Sequence, residues 1–148
     1  MSALPAIVAA LHARVATVPG IVEVLDHPPL VELTDTEMPL AFIDVNGLVP
    51  LEATSRRRHM AWEIGIVVLG SLISPDRHLD VSALYSLPED IVGAFDDGLT
   101  LGGALSQPLT FNDPITEGIG PIGVMTSMYL GFAITVYCPI VSTREAKP

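Results

Sequence analysis

Residues 128–141, MYLGFAITVYCPIV, decide the fold. They belong to a longer stretch, Gly118 to Thr143, that carries no charged side chain. An uncharged run of that length raises the question of a membrane span, which needs about 20 mostly apolar residues in a helix. Here Gly118, Gly120, Pro121, Gly123, Gly131 and Pro139 punctuate the run, and its second half alternates. Met128, Leu130, Phe132, Ile134 and Val136 fall on one face. Tyr129, Gly131, Ala133, Thr135 and Tyr137 fall on the other. A period of two belongs to a strand. The sequence therefore predicts a long closing β-strand and no membrane partner.

The second long strand is predicted over His59–Leu72. Met60, Trp62, Ile64, Ile66 and Val68 occupy one face, and Glu63 interrupts the other among Ala61, Gly65, Val67 and Leu69. Upstream, Leu40–Val45 reads as a strand. Asn46-Gly47 then reads as a two-residue hairpin turn, because a type I′ turn requires positive φ at both positions. Leu48–Leu51 is the expected return strand. Ala53–Arg58, polar and basic, reads as the tip or return of a loop, so an extended hairpin or arm is expected around residues 45–60. Ile21–Asp26 is a further, shorter strand, followed by the break His27-Pro28-Pro29 and an acidic extended segment, Leu30–Met38.

Two helices complete the set. Leu4, Ile7, Val8, Leu11 and Val15 follow the spacing of one helical face. Ser2 is placed to cap this helix, and Pro19-Gly20 ends it. Asp80 is expected to cap a short helix from Val81. Ser86 and Glu89 fit a capping box, Leu84, Ile91, Val92 and Phe95 give an apolar face, and Pro88 is a point of kinking or splitting. Gly102–Phe111 and Ile115–Ile122 read as short strands or loops. The order helix, strands, helix, strands predicts an α+β fold: a mostly antiparallel, mixed sheet flanked by two helices. The 148 residues form one expected domain, with a folded core over 1–141 and a polar tail over 142–148.

Composition narrows the function. Apolar residues make up 49% of the chain and charged residues 16%, and the mean hydropathy is +0.51. Apolar surface on this scale points to cover by other copies or partners. Seven Lys+Arg against 17 Asp+Glu give a net charge of −10. Clustered cations are what bind phosphate, so general nucleic-acid or anionic-membrane binding is disfavoured. One cysteine, Cys138, allows no internal disulfide, and its apolar strand setting reads as core rather than as a reactive thiolate. The sequence holds no G-x-S-x-G elbow, P-loop or G-x-G-x-x-G. No catalytic residue, metal site or cofactor is implied. Asp76, His78 and Asp80 alternate as D-x-H-x-D and are the one ligand-like cluster, of the kind that binds a divalent cation; the plainer reading, which is preferred, is a polar loop with Asp80 as helix cap.

The cations are unevenly placed. Arg56-Arg57-Arg58 holds three of the seven, whereas Val15–Ser55 and Leu79–Thr143 each carry seven acids and no Lys or Arg. The chain is an acidic body with one basic spot. A solvated loop accounts for that spot; so does a subunit interface in which Arg56, Arg57 and Arg58 meet the acidic surface of a neighbouring copy in a head-to-tail ring.

In size and element order the chain resembles the tail terminator proteins of long-tailed bacteriophages, over Leu4 to Val141. The resemblance is carried by the first helix ending in Pro19-Gly20-Ile21-Val22 and by the strand Pro39-Leu40-Ala41-Phe42-Ile43. It continues through the arm containing Arg56–Arg58, the strand Trp62-Glu63-Ile64-Gly65-Ile66-Val67-Val68, the helix around Leu84–Phe95 and the closing strand Tyr129–Val136. It implies a virion protein of the tail or neck, assembled in the host cytoplasm. Such a protein forms a ring, usually a hexamer, on the last ring of the tail tube. There it stops tube polymerisation and offers a surface to head–neck connector proteins. Six copies would bring a formal charge of about −60, giving a negative lumen through which DNA passes without specific binding. Another neck or connector protein, or a small metal- or ligand-binding domain using Asp76, His78 and Asp80, are the alternatives.

Overall fold

A computed structural model describes residues 3–34, 37–53, 58–74, 81–105, 107–116 and 118–142, with backbone alone at 51–53, 58–59 and 141–142. Helix α1 spans Leu4–Val15. Strands follow as β1 Glu23–Leu25, β2 Leu40–Ala53 and β3 Arg58–Leu72. A 3-10 turn, Val81–Leu84, leads into helix α2, Leu87–Gly93. After a second 3-10 turn, Leu101–Gly103, come β4 Thr110–Phe111, β5 Gly120–Val124 and β6 Ser127–Ser142. The strands form one mixed sheet in the order β1-β2-β3-β6-β4, with β5 also paired to β6. Only β1 runs parallel to its neighbour; every other pairing is antiparallel. This is the expected α+β architecture.

The alternation read from the sequence sorts the two faces. Ile64, Ile66 and Val68 of β3 and Phe132, Ile134, Val136 and Cys138 of β6 form the main core with Ile7, Leu11 and Val15 of α1 and with Leu87, Ile91 and Phe95 of the α2 region. Each large aliphatic side chain buried this way contributes about 1.5–3 kcal/mol. Arg14 holds the two helices together from outside. Its Nη1 donates to Asp97 at 2.9 Å and to the Ala94 carbonyl at 3.4 Å. His12 Nε2 donates to the Val24 carbonyl at 2.9 Å, tying α1 to the sheet edge. The opposite face carries a smaller core of Leu40, Phe42, Val67, Leu69 and Tyr129, covered by Leu33 and Met38 from the segment after β1 and by Ile122 and Val124 of β5.

Three local expectations are corrected. Asn46-Gly47 is not a turn. β2 runs through it to Ala53, and Leu48–Pro50 pair forward with Met60–Trp62 instead of folding back on Leu40–Val45. A type I′ turn needs positive φ at both residues, and of the two only Gly47 has it, at 156°. The pair forms a β-bulge instead, with a register shift between Val45 and Gly47. The β2–β3 pairing continues as far as Ala53 opposite Arg58. Second, the capping box at Ser86 does not form. The 3-10 turn runs directly into α2, so Ser86 sits at φ −84°, ψ −20°, and its side chain makes no cap hydrogen bond; a box needs a β-region cap residue. The split before Pro88 does occur. Third, the first strand is shorter than Ile21–Asp26. At the start of α1 the cap position is Ala3, without a side-chain cap bond. Ser2 and Asp80, the other expected caps, lie outside the described residues.

The edges of the long hairpin are shaped by proline. Along β6 the Thr135 carbonyl accepts from Asn112 on the β4 side, so alternate residues including Pro139 turn the same way. Along β2 the Pro39 carbonyl accepts from Val22 on the outer side. The bulge then moves Leu48 and Pro50 onto that side. Each outer edge thus has a proline where a neighbour would seek an N–H.

Gly131 marks the tightest backbone approach, since a Cβ there would collide with the Val68 carbonyl across the ladder. Gly131→Ala is expected to destabilise the fold by about 2 kcal/mol, lowering Tm by about 4–8 °C. Gly120→Ala, at its cross-strand partner, meets open space and serves as the near-neutral comparison in thermal unfolding.

Candidate functional site

Burial falls off along the arm. On the helix side Ile64 is fully buried, Trp62 is half-buried, and Val45 and Leu48 are 36% and 43% exposed. On the other side the small core ends at Val67. Beyond it lies a stretch of sheet over which no helix or strand packs among the described residues. Its residues are Asp44 and Asn46 of β2, Glu63 and Gly65 of β3, and Ala133, Thr135 and Tyr137 of β6. The register sets them side by side: Asp44 opposite Gly65 opposite Thr135, then Glu63 opposite Tyr137. Gly65, with no side chain, leaves a low floor into which the Asn46 amide leans.

The polar centre of this surface is Tyr137. Its hydroxyl lies 3.3 Å from Glu63 Oε1 and 3.3 Å from Asn112 Oδ1, so one proton serves two acceptors. The ionised carboxylate is the stronger of them. Desolvation raises the phenol pKa, and the negative charge of Glu63 and the hydrogen bond to it raise it further. The sequence shows Glu63 as an interruption of an apolar face. Its partner is not visible there, because the pairing depends on the register of two strands 74 positions apart.

A second surface is apolar. Leu30 and Val31 are 77% and 70% exposed, and Met125 and Met128 are 56% and 46% exposed. One carboxylate brings them together. Glu32 accepts from the Thr126 hydroxyl at 2.8 Å and from the Ser127 hydroxyl at 3.3 Å, which fixes the segment after β1 against the β5–β6 turn. In that turn Met125 holds a left-handed φ of 55°, rare without glycine.

The expected site residues lie almost wholly outside the described ones. Arg56 and Arg57 lie outside the described residues, and Arg58 begins β3 opposite Ala53 with its backbone alone described. Asp76, His78 and Asp80 also lie outside them. Among the described residues no three His, Cys, Asp or Glu side chains are grouped to hold a metal ion, and no helix is long and apolar enough to cross a membrane. A cleft of about 470 Å³ opens between β4 and β5, over Ala133 and Thr135, with Asn112, Ile115 and Phe132 among its walls. No titratable side chain is among its described lining. A shallower one of about 360 Å³ beside α2 has Glu89 and Asp96 at its rim and no Lys, Arg or His among its described lining. Neither family models nor curated protein sequences match the chain. Cys138 is fully buried, and desolvation pushes its thiol up to about 12, which removes it as a nucleophile near neutral pH.

Two outcomes are expected. Tyr137 keeps its proton to higher pH in the folded than in the unfolded chain, so the stability it contributes is complete below about pH 10 and is lost as pH rises through the folded midpoint. Glu63→Gln should lower that midpoint in part, burial remaining; the readout is 295 nm absorbance against a Tyr137→Phe reference. Cys138 should resist a thiol reagent at pH 8 in the native protein and react stoichiometrically in denaturant.

Proposed function

We propose that the chain is a structural ring protein of a phage tail, a tail terminator that caps the tube and receives the head–neck proteins. The observation that carries this reading is the arm. The β2–β3 hairpin runs past the helices, exposing Val45 and Leu48, and in the sequence of this acidic chain the one run of cations falls where β2 gives way to β3. A monomer gains nothing from exposing Val45, Leu48, Leu30, Val31, Met125 and Met128, whereas a ring covers such patches. The α+β order matches what the resemblance implies. The partners in this reading are further copies of the chain, the tube protein and a connector, with DNA passing through a negative lumen.

The test is native mass by light scattering, with negative-stain imaging, on the protein alone and with tail tubes. Rings of several copies, or rings formed at tube ends, are expected, and tails assembled without the protein should grow to irregular, excessive lengths. Normal-length, head-joined tails in its absence would overturn the assignment.

A further inference from the structure

We infer that the bay in the sheet edge between β4 and β5 receives the Leu30–Val31 segment of a second copy of the chain, which adds to β6 as a short strand. This rests on the self-assembling reading above and names the two surfaces that meet.

The first support is an interrupted edge. β4 and β5 line the same side of β6, β4 opposite Val136 and Tyr137 and β5 opposite Ser127–Gly131. Asn112 still donates to the Thr135 carbonyl. From there to Gly120, which faces Gly131, seven residues of chain, 113–119, span three of β6, 132–134. The excess carries the connection off the ladder. Counting on from Asn112, the residue due opposite Ala133 is Pro114, which has no N–H to give. Alternation turns the N–H and carbonyl of Ala133 and the N–H of Thr135 to this side. None of them bonds to the described residues of the connection, 112–116 and 118–119. Unpaired main-chain donors and acceptors in a row are what an added strand uses.

The second support is room. The cleft over this edge measures about 470 Å³, within the range of about 300–1,000 Å³ that takes a small ligand. Pro114, Ile115, Ile119 and Phe132 give it apolar walls, and at Gly118 and Gly120 nothing fills the space a side chain would take. Its described lining carries no titratable group. Copies with a net charge of −10 each can therefore meet here without opposing like charges.

The third support is the segment. Leu30 and Val31 are the most exposed of the large apolar residues described, and their backbone groups bond to no other described residue. Buried Pro29 anchors them on one side, and Glu32 on the other through Thr126 and Ser127. Held at both ends, the pair loses little freedom on docking. The same anchor keeps it from its own bay. Ser127 and Ala133 are six residues apart on β6, about 20 Å at about 3.3 Å per residue, and β5 occupies the edge between them. A second copy can deliver the segment where its own chain cannot. Bay and segment are different surfaces of one chain, so the contact is head-to-tail, as a ring requires.

The test is sedimentation equilibrium over a wide concentration range, with circular dichroism confirming that each variant folds. Leu30→Ser with Val31→Ser strips the segment of its apolar side chains. Gly120→Leu fills the bay at a position where a Cβ meets open space. Each variant should weaken self-association at least ~tenfold. The decisive arm mixes the two. One chain keeps its segment and the other keeps its bay, so the mixture should stop at a one-to-one dimer. In the wild type, amide hydrogen exchange at Ala133 and Thr135 should slow as assembly proceeds, and in neither variant alone should it slow. If the wild type assembles while those two amides exchange unchanged, or if either variant assembles as well as the wild type, the contact is wrong while the ring stands. A mixture that stays monomeric overturns the pairing in the same way. A wild type that is monomeric at every concentration and on tail tubes removes the ring and this contact with it.

Discussion

The pairing of β3 with β6 is the interaction on which the rest depends. It runs from Arg58–Ser142 to Leu72–Tyr129 with one irregularity, between Leu69 and Ser71. Because side chains alternate, this single register sends Ile64, Ile66, Val68, Phe132, Ile134 and Val136 to the helices together. A slip by one residue would send all of them to the other face. Gly131 permits the close approach to Val68 that sets the register at its covered end. Towards the far end cover thins unevenly: Val45 and Leu48 on the helix side are exposed, while Ala61 on the other face stays buried.

What was legible in the sequence was whatever rests on local periodicity. The two long strands, the α1 face and the split near Pro88 are written in side-chain spacing and need no knowledge of distant neighbours. Asn46-Gly47 shows where that reasoning stops. A dipeptide that permits a turn equally permits a bulge, and the choice went to the alternative that keeps Val45, Leu48 and Val49 paired along β3. Ser86 fails as a cap for a related reason: the preceding 3-10 turn sets its backbone before its side chain can act.

The surface chemistry was legible only as an imbalance. Counting charges shows that cations are missing from most of the chain, yet it gives no way to say which acids share a surface. Glu63, Tyr137 and Asn112 come from three separate strands and loops, and only the sheet assembles them. Likewise Leu30 and Met125 are far apart until Glu32 fastens one segment to the other through two hydroxyls.

Pro50 and Pro139 bear on how such an arm survives in a crowded solution. A long, weakly charged hairpin with bare edges is a template on which identical hairpins stack edge to edge without limit. A missing N–H at the outward position of each edge interrupts that row of donors. Growth by strand addition along the arm stalls on both sides, which leaves its faces, where side chains rather than backbone decide a match, as the arm's surfaces for any contact between copies. The prolines thus favour a contact that is selective and finite over one that would propagate as fibre.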